Sequence, residues 1–198
     1  MSKGKQTRDN ILNVAFKLAS ENGLESLTIG ELAKQCGMSK SGLFAHFNAK
    51  ENLQAAVVEY ANEIFIQRVI VPARADKCTC YKEKITALLN HWLNWNQSFQ
   101  GSCMFLDAWR EKCVNQTPAQ QVLKQAIESW LSYLQIQIGK GIENKEFRSD
   151  LDPIQATFEL YGLYLSAHLY HSMYGQDEST KRFWLGVERL ILDWHGSD

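Results

Sequence analysis

Apolar residues recur at three- and four-residue spacing along nearly the whole chain, which is the pattern of amphipathic α-helices. Long polar–apolar alternations that would indicate strands are absent, and the 198-residue sequence holds only three prolines. The pattern therefore predicts an all-α protein of nine helices. The first four predicted helices cover residues 7–22, 28–37, 40–45 and 50–71. The fifth lies between a loop at 72–80 and a break at 101–102, and the sixth follows that break to about residue 114. The last three run from 118 to 139 or 141, from 153 to 174 and from 180 to 194.

The segment from Thr28 to Lys50 carries a dense series of helix start and stop signals. Thr28 and Glu31 are spaced as a capping box, in which a hydroxyl and a carboxylate close a helix N-terminus. Gly37 can adopt the positive φ that ends a helix, and Ser39 is a favoured N-cap for the next one. Two short helices joined by a tight turn form a helix-turn-helix, whose second helix enters the DNA major groove.

Other start signals lie further along the chain. Asn48 and Glu51 are spaced as a second capping box, from which one long helix is predicted to run until Val71-Pro72 stops it. The later starts combine a cap, a proline and a polar partner, at Thr117-Pro118-x-Gln120 and at Asp152-Pro153-x-Gln155.

The helix-turn-helix segment resembles the DNA-binding domain of TetR/AcrR-family transcriptional regulators, over roughly the first quarter of the chain. The matching positions are Thr28, Leu32-Ala33, Gly37 through Phe44, His46-Phe47, Lys50-Glu51 and Leu53. The resemblance implies a three-helix DNA-binding domain over residues 1–50 and a six-helix effector-binding and dimerisation domain over residues 51–198. It also implies a repressor that binds a palindromic double-stranded operator as a homodimer and is released by a small-molecule effector.

The resemblance assigns contacts to DNA as well. Thr28, His46 and Lys50 match family positions that contact phosphates, and Lys40 is our candidate for reading guanine O6 and N7. The complete predicted set is Thr28, Ser39, Lys40, Ser41, Gly42, His46 and Lys50. The family commonly has a tyrosine at position 44, whose hydroxyl reaches a phosphate. This chain has Phe44 there, for which core packing is the alternative interpretation.

The charge of the chain is unevenly distributed. Residues 1–50 carry seven Lys/Arg and four Asp/Glu, whereas the remainder carries 14 and 18. A basic N-terminus and an acidic remainder are typical of a DNA-binding domain attached to a domain with another task. The polar N-terminus has no signal-peptide core and no apolar run reaches the length of a membrane span, so a cytoplasmic protein without membrane contact is expected.

Aromatic residues are concentrated in the second half of the chain, where all six tryptophans lie beyond residue 90. A helical domain with this enrichment could hold an apolar or aromatic effector, although such aromatic residues more often pack a core than line a pocket. The candidates for effector binding are Trp92, Trp95, Phe99, Asp107, Trp130, Tyr161, Tyr164 and His168.

The last two predicted helices are apolar on more than one face, which favours an intermolecular four-helix bundle with a second copy. The alternative is that both helices face the core of one copy and are rich in apolar residues for that reason. The candidates for the dimer interface are Leu163, Leu169, Trp184, Val187, Ile191 and Trp194.

Two other functions stay open. A redox- or metal-responsive regulator would use the five cysteines, among which Cys78 and Cys80 are closest in sequence, but four metal ligands at suitable spacing are missing. An enzyme in the C-terminal part is a remote alternative, because no phosphate-binding loop or hydrolase motif is present. The sequence predicts no cofactor and no metal site.

Overall fold

The computed structural model describes residues 3–97, 103–111 and 117–195, which are helical and contain no strand. The helix over residues 50–75 passes without a break through a π-helical segment, so these ranges contain nine continuous helices, as predicted. The elements are α1 (Lys3–Asn22), a 3-10 turn (Leu24–Ser26), α2 (Ile29–Gln35), α3 (Lys40–Phe47), α4 (Lys50–Phe65), the π segment (Ile66–Ile70), α5 (Val71–Ala75), α6 (Tyr81–Gln97), α7 (Met104–Glu111), α8 (Pro118–Glu143), α9 (Pro153–Tyr174) and α10 (Gln176–Trp194).

The main departure from the sequence prediction is at Pro72, where the long helix continues instead of stopping. Proline lacks the N–H that an α-helical turn requires, and its ring clashes with the carbonyl four residues earlier. The wider π turn directly before α5 gives room for the ring. The helix therefore ends at Ala75, and the predicted 72–80 loop is reduced to residues 76–80.

Several helix ends also differ from the prediction. The helix predicted to start at Thr7 begins at Lys3, and the one predicted from Thr180 begins at Gln176. Asn48 does not cap α4: it is the left-handed C-cap of α3, with φ 63°, a conformation that asparagine tolerates better than most residues. The predicted starts of α8 and α9 are confirmed by the side-chain caps of Thr117 and Asp152.

The described residues form two compact units, one within 1–65 and 102–127 and the other within 66–101 and 128–198. The first unit contains α1 to α4 and α7. Apolar residues of α1, of α3 and of the segment around the 3-10 turn are buried there and form its small core. These buried residues are Ile11, Leu12, Ala15, Phe16, Ala19, Leu24, Leu27, Leu43 and Phe47.

The second unit is held together partly by the loop between α8 and α9. Glu146 caps the start of α6, because its Oε2 accepts the backbone N–H of Tyr81 at 2.6 Å and that of Lys82 at 3.4 Å. The backbone N–H of Arg148 donates to the carbonyl of Trp194 at 2.7 Å. One short loop thereby fixes both the beginning of α6 and the end of α10.

Helices α9 and α10 pack closely against each other. A Cβ at Gly186 would lie 2.6 Å from Leu163 Cδ2, so a larger residue there would require the Leu163 side chain to move. The Ser179 hydroxyl donates to the Ala167 carbonyl at 2.6 Å in the buried contact. Among the described helices, none is long and apolar enough to cross a bilayer.

Candidate nucleic-acid interface and effector region

The turn between α2 and α3 is closed by two backbone hydrogen bonds. The N–H of Met38 donates to the Ala33 carbonyl at 2.9 Å, and the N–H of Gly37 donates to the Lys34 carbonyl at 3.2 Å. This is a Schellman motif, and the φ of 63° at Gly37 is the left-handed conformation that it requires. Gly37 thus ends α2 as predicted.

Hydroxyl caps begin both helices of the motif. Thr28 Oγ1 accepts the N–H of Glu31 at 3.2 Å, and Ser39 Oγ accepts the N–H of Gly42 at 3.0 Å. The carboxylate of Glu31 accepts from the Gln35 side chain at 3.0 Å. An accepting hydroxyl keeps its own O–H, so the exposed Thr28 can still donate to a phosphate.

The first turn of α3 is exposed. Lys40 and Ser41 both face solvent, and the Lys40 side chain extends towards α2, with its Nζ 3.4 Å from where a Cβ at Gly30 would lie. Gly42 also has a local structural role, because a Cβ there would lie 3.0 Å from the capping Ser39 Oγ. The turn therefore combines a small residue, two hydroxyls and one ammonium group on an accessible surface.

The Lys50 ammonium is bound within the protein. Its Nζ donates to the backbone carbonyl of Glu25 at 2.8 Å and lies 3.7 Å from the carboxylate of the same residue. His46 is half-buried, and its ring centroid is 6.3 Å from that of Phe47. Lys50 and His46, both predicted to contact phosphates, thus each also lie against another residue of the protein.

Phe44 was not in the predicted DNA-binding set, yet 48% of its surface is exposed. Core packing holds for Phe47, which is 3% exposed, and does not hold for Phe44. The sequence contained the necessary signal, because a helix places residue 44 on the same side as Lys40, four residues earlier. The exposed face of α3 therefore consists of Lys40, Ser41, Phe44 and Ala45.

Four of the predicted effector residues pack against one another in the second unit. Trp92 stacks on Tyr164 with a centroid distance of 3.7 Å and also stacks on Tyr161 at 5.6 Å. Trp130 meets the edge of Trp92 at 5.2 Å. Since Trp92, Trp130 and Tyr164 are almost fully buried, these rings occupy the space that a ligand would need.

The other predicted effector residues are dispersed. Trp95 is buried and His168 is half-buried in the second unit, Asp107 belongs to the first unit, and Phe99 lies outside the described residues. The second unit also has an open cleft of about 560 Å³, which none of the predicted effector residues lines. Its walls are Asp76, Lys82, Glu83, Thr86, Ala87, Asn90 and Trp184.

The predicted dimer residues are divided between the core and the surface. Val187, Ile191 and Trp194 are at most 3% exposed because they pack inside the protomer, so they offer no surface to a second copy. Leu163 packs on Gly186, and Trp184 lines the cleft, whereas Leu169 is 57% exposed.

An exposed apolar face runs along α9 and α10, and most of its residues were missed from the sequence. The α9 positions follow helical spacing, and the two α10 positions are seven residues apart. We call this set the apolar face: Ile154, Phe158, Leu169 and Met173 on α9, with Leu185 and Leu192 on α10.

Two of the cysteines are held in the less reactive thiol form. Burial raises the pKa of the Cys36 and Cys78 thiols, and the Asp76 carboxylate raises that of Cys78 further, which lowers the fraction of reactive thiolate. Cys113 lies outside the described residues. Within the described residues, no group of three or more His, Cys, Asp or Glu side chains could hold a metal ion.

Two segments of the chain match families of known domains. Residues 11–57 match bacterial regulatory proteins of the tetR family, and residues 82–187 match the tetracyclin repressor-like C-terminal domain. The second match alone covers more than half of the 198 residues.

Individual relatives show more limited similarity. The HTH-type transcriptional regulator AcrR of Shigella flexneri is 35% identical over 57 residues, which span 29% of this chain and 26% of that protein. The TetR-family transcriptional regulator from Cytophaga hutchinsonii is 24% identical, with a TM-score of 0.83 over 100% of this chain and 99% of that chain. AibR, solved in complex with isovaleryl coenzyme A and operator DNA, is 19% identical, with a TM-score of 0.68 over 93% of this chain and 97% of that chain. At such identities, the structural likeness concerns the fold alone.

Proposed function

This chain belongs to the TetR family of DNA-binding transcriptional regulators, and from that premise we propose that it is a repressor, which binds a palindromic operator as a homodimer and is released by a small molecule. The observation that carries the proposal is the exposed face of α3 beside the capped start of α2. Members of the family are typically non-enzymatic.

At the operator, α3 enters the major groove and Lys40 donates to guanine O6 and N7. Ser39 and Ser41 supply further hydroxyl groups, and Gly42 lets the backbone approach closely. Thr28, His46 and Lys50 contact phosphates, which set the register and orientation of the helix. These contacts are supported by the match of residues 11–57 to the family and by the exposure of the first turn of α3.

Dimerisation is supported by the apolar face of α9 and α10. Single exposed apolar residues are common on monomers, but six large ones on two adjacent helices favour an interaction site. A second copy related by two-fold symmetry would present the same face, so the two surfaces would complement each other. The resulting dimer presents two copies of α3 to successive major grooves, which a palindromic operator requires.

Release by a small molecule is the third part of the proposal, with residues 51–198 as the effector-binding and dimerisation domain and residues 1–50 as the DNA-binding domain. The aromatic cluster around Trp92 supports an apolar or aromatic effector. Because these rings stack on one another, binding of an effector among them requires Trp92 or Tyr164 to change rotamer. AibR, a protein of similar fold, was solved in complex with both isovaleryl coenzyme A and operator DNA.

The experiment that tests this function is selection of binding sites from a random DNA pool with the purified chain. Enrichment of a two-fold symmetric sequence, with one protein dimer per site, is the expected result. Enrichment of no sequence, with affinity remaining at the non-specific level, would reject it. The redox alternative predicts instead that peroxide abolishes DNA binding and that serine at Cys78 or Cys80 prevents the loss.

A further inference from the structure

Glu25 contacts the lysine that the proposed function places on a DNA phosphate. Its backbone carbonyl accepts from Lys50 Nζ at 2.8 Å, and its carboxylate lies 3.7 Å from the same ammonium. We propose that Glu25 is a positioning residue that holds the Lys50 ammonium in place and weakens sequence-independent DNA binding by partly neutralising it. This inference rests on the proposed function and concerns the same site.

The two contacts of Glu25 have different consequences. The carbonyl carries no net charge, so the short hydrogen bond fixes the ammonium and leaves its charge available to a phosphate. The carboxylate cancels part of that charge and adds a negative group beside the site where the phosphate would bind. Replacing only the carboxylate therefore separates positioning from neutralisation.

The ion pair is not needed to hold the local fold. Both side chains are more than a third exposed, and such pairs contribute little to stability. The 3-10 turn that carries Glu25 is held independently, because Leu24 is buried and its carbonyl accepts from the buried Gln54 amide at 3.1 Å. A glutamine at residue 25 should thus leave the turn and the carbonyl contact in place.

The test measures binding of the full-length chain to a fluorescein-labelled duplex of arbitrary sequence, roughly 30 bp long, by anisotropy between about 50 and 200 mM NaCl. The variants are Glu25→Gln, Lys50→Met and the two combined. Glu21→Gln is the matched control, because it removes one exposed carboxylate from the same unit without contacting Lys50. Thermal unfolding of each variant verifies that the fold is retained.

We expect Glu25→Gln to bind about two- to fivefold more tightly than wild type, the size of an exposed ion pair, with a steeper salt dependence. Lys50→Met should weaken binding and reduce the slope of log K against log salt by about 0.9 for each lysine lost. In the Lys50→Met background, the effect of Glu25→Gln should shrink to that of Glu21→Gln, because the carboxylate acts through the lysine.

The outcomes distinguish the role of Glu25 from the DNA contact of Lys50. If Lys50→Met weakens binding but Glu25→Gln binds no more tightly than Glu21→Gln, the role of Glu25 is wrong and the proposed function stands. If Glu25→Gln retains its full effect without Lys50, the carboxylate acts directly on DNA, and the proposed neutralisation of Lys50 by Glu25 is overturned. If Lys50→Met binds like wild type, the phosphate contact and the inference both fail.

Discussion

Truncation of Phe158 to alanine tests the apolar face most sharply, because this residue is the most exposed large side chain on it, at 71%. Because its side chain is largely exposed on α9, Phe158 does not belong to the protomer core. The substitution should therefore leave the folded protomer intact and weaken only the association of two copies. Its thermal unfolding at low protein concentration should match that of wild type.

The expected magnitude follows from the exposed area. A phenylalanine surface of roughly 200 Å² leaves about 140 Å² for a partner to cover, which is about 3.5 kcal/mol at 25 cal/mol/Å². Alanine retains some of this area, so the loss is about 2 kcal/mol for each protomer. Two-fold symmetry doubles the loss to about 4 kcal/mol, which raises the dimer Kd about a thousandfold.

Analytical ultracentrifugation over a concentration series measures this Kd directly. Ile136→Ala is the matched control, because Ile136 is 52% exposed on α8 and lies off the apolar face. The account expects Phe158→Ala to dissociate at concentrations where wild type and Ile136→Ala remain dimeric. A Phe158→Ala protein that dimerises as tightly as wild type would refute the assignment, and so would dissociation of the Ile136→Ala control.

Three further predictions concern the first unit and the start of α6. Gly37→Ala should destabilise the protein by about 1 kcal/mol in urea unfolding, because a Cβ strains the left-handed turn; an unchanged unfolding midpoint would contradict this. Hydrogen bonds from Thr79, first from its backbone N–H, hold the pKa of Glu83 below its ordinary value. The ionised Glu83 therefore stabilises the folded protein above about pH 4, and this stabilisation is lost as the pH falls through the pKa of the folded state. The difference in Tm between wild type and Glu83→Gln should accordingly narrow between neutral pH and about pH 3, and a constant difference would rule out the linkage. Phe44→Tyr should tighten binding to arbitrary DNA by about tenfold, the value of one charge-assisted hydrogen bond, and weaker binding would show that the exposed ring serves another contact.

The helix-turn-helix of this protein could be predicted from sequence because its structure is encoded by local capping residues. Thr28, Gly37 and Ser39 each act on backbone groups within three residues, and the structure places each of them as the capping rules require. Asn48 shows the limit of local rules. The same residue type favours both an N-cap and a left-handed C-cap, and the structure places Asn48 at the C-cap of α3.

The apolar face could not be located from sequence because α10 carries two apolar stripes. Periodicity identifies both stripes but does not say which one meets α9 and the protomer core. Val187 and Ile191 belong to the buried stripe, whereas Leu185 and Leu192 belong to the exposed one. Composition likewise identifies the aromatic enrichment but does not distinguish rings that line a cavity from rings that stack on one another, as Trp92 and Tyr164 do.

The central claim is that the exposed face of α3 reads a two-fold symmetric operator, and comparison of selected DNA motifs for wild type and Lys40→Ala tests it most directly. We expect wild type to enrich a palindrome, and Lys40→Ala to enrich the same palindrome with relaxed preference at one base pair in each half-site. The substitution should lower the binding free energy to the wild-type palindrome by about 1–3 kcal/mol. Equal preference at every position in the two motifs would show that Lys40 reads no base, and a motif without two-fold symmetry would contradict the claim as a whole.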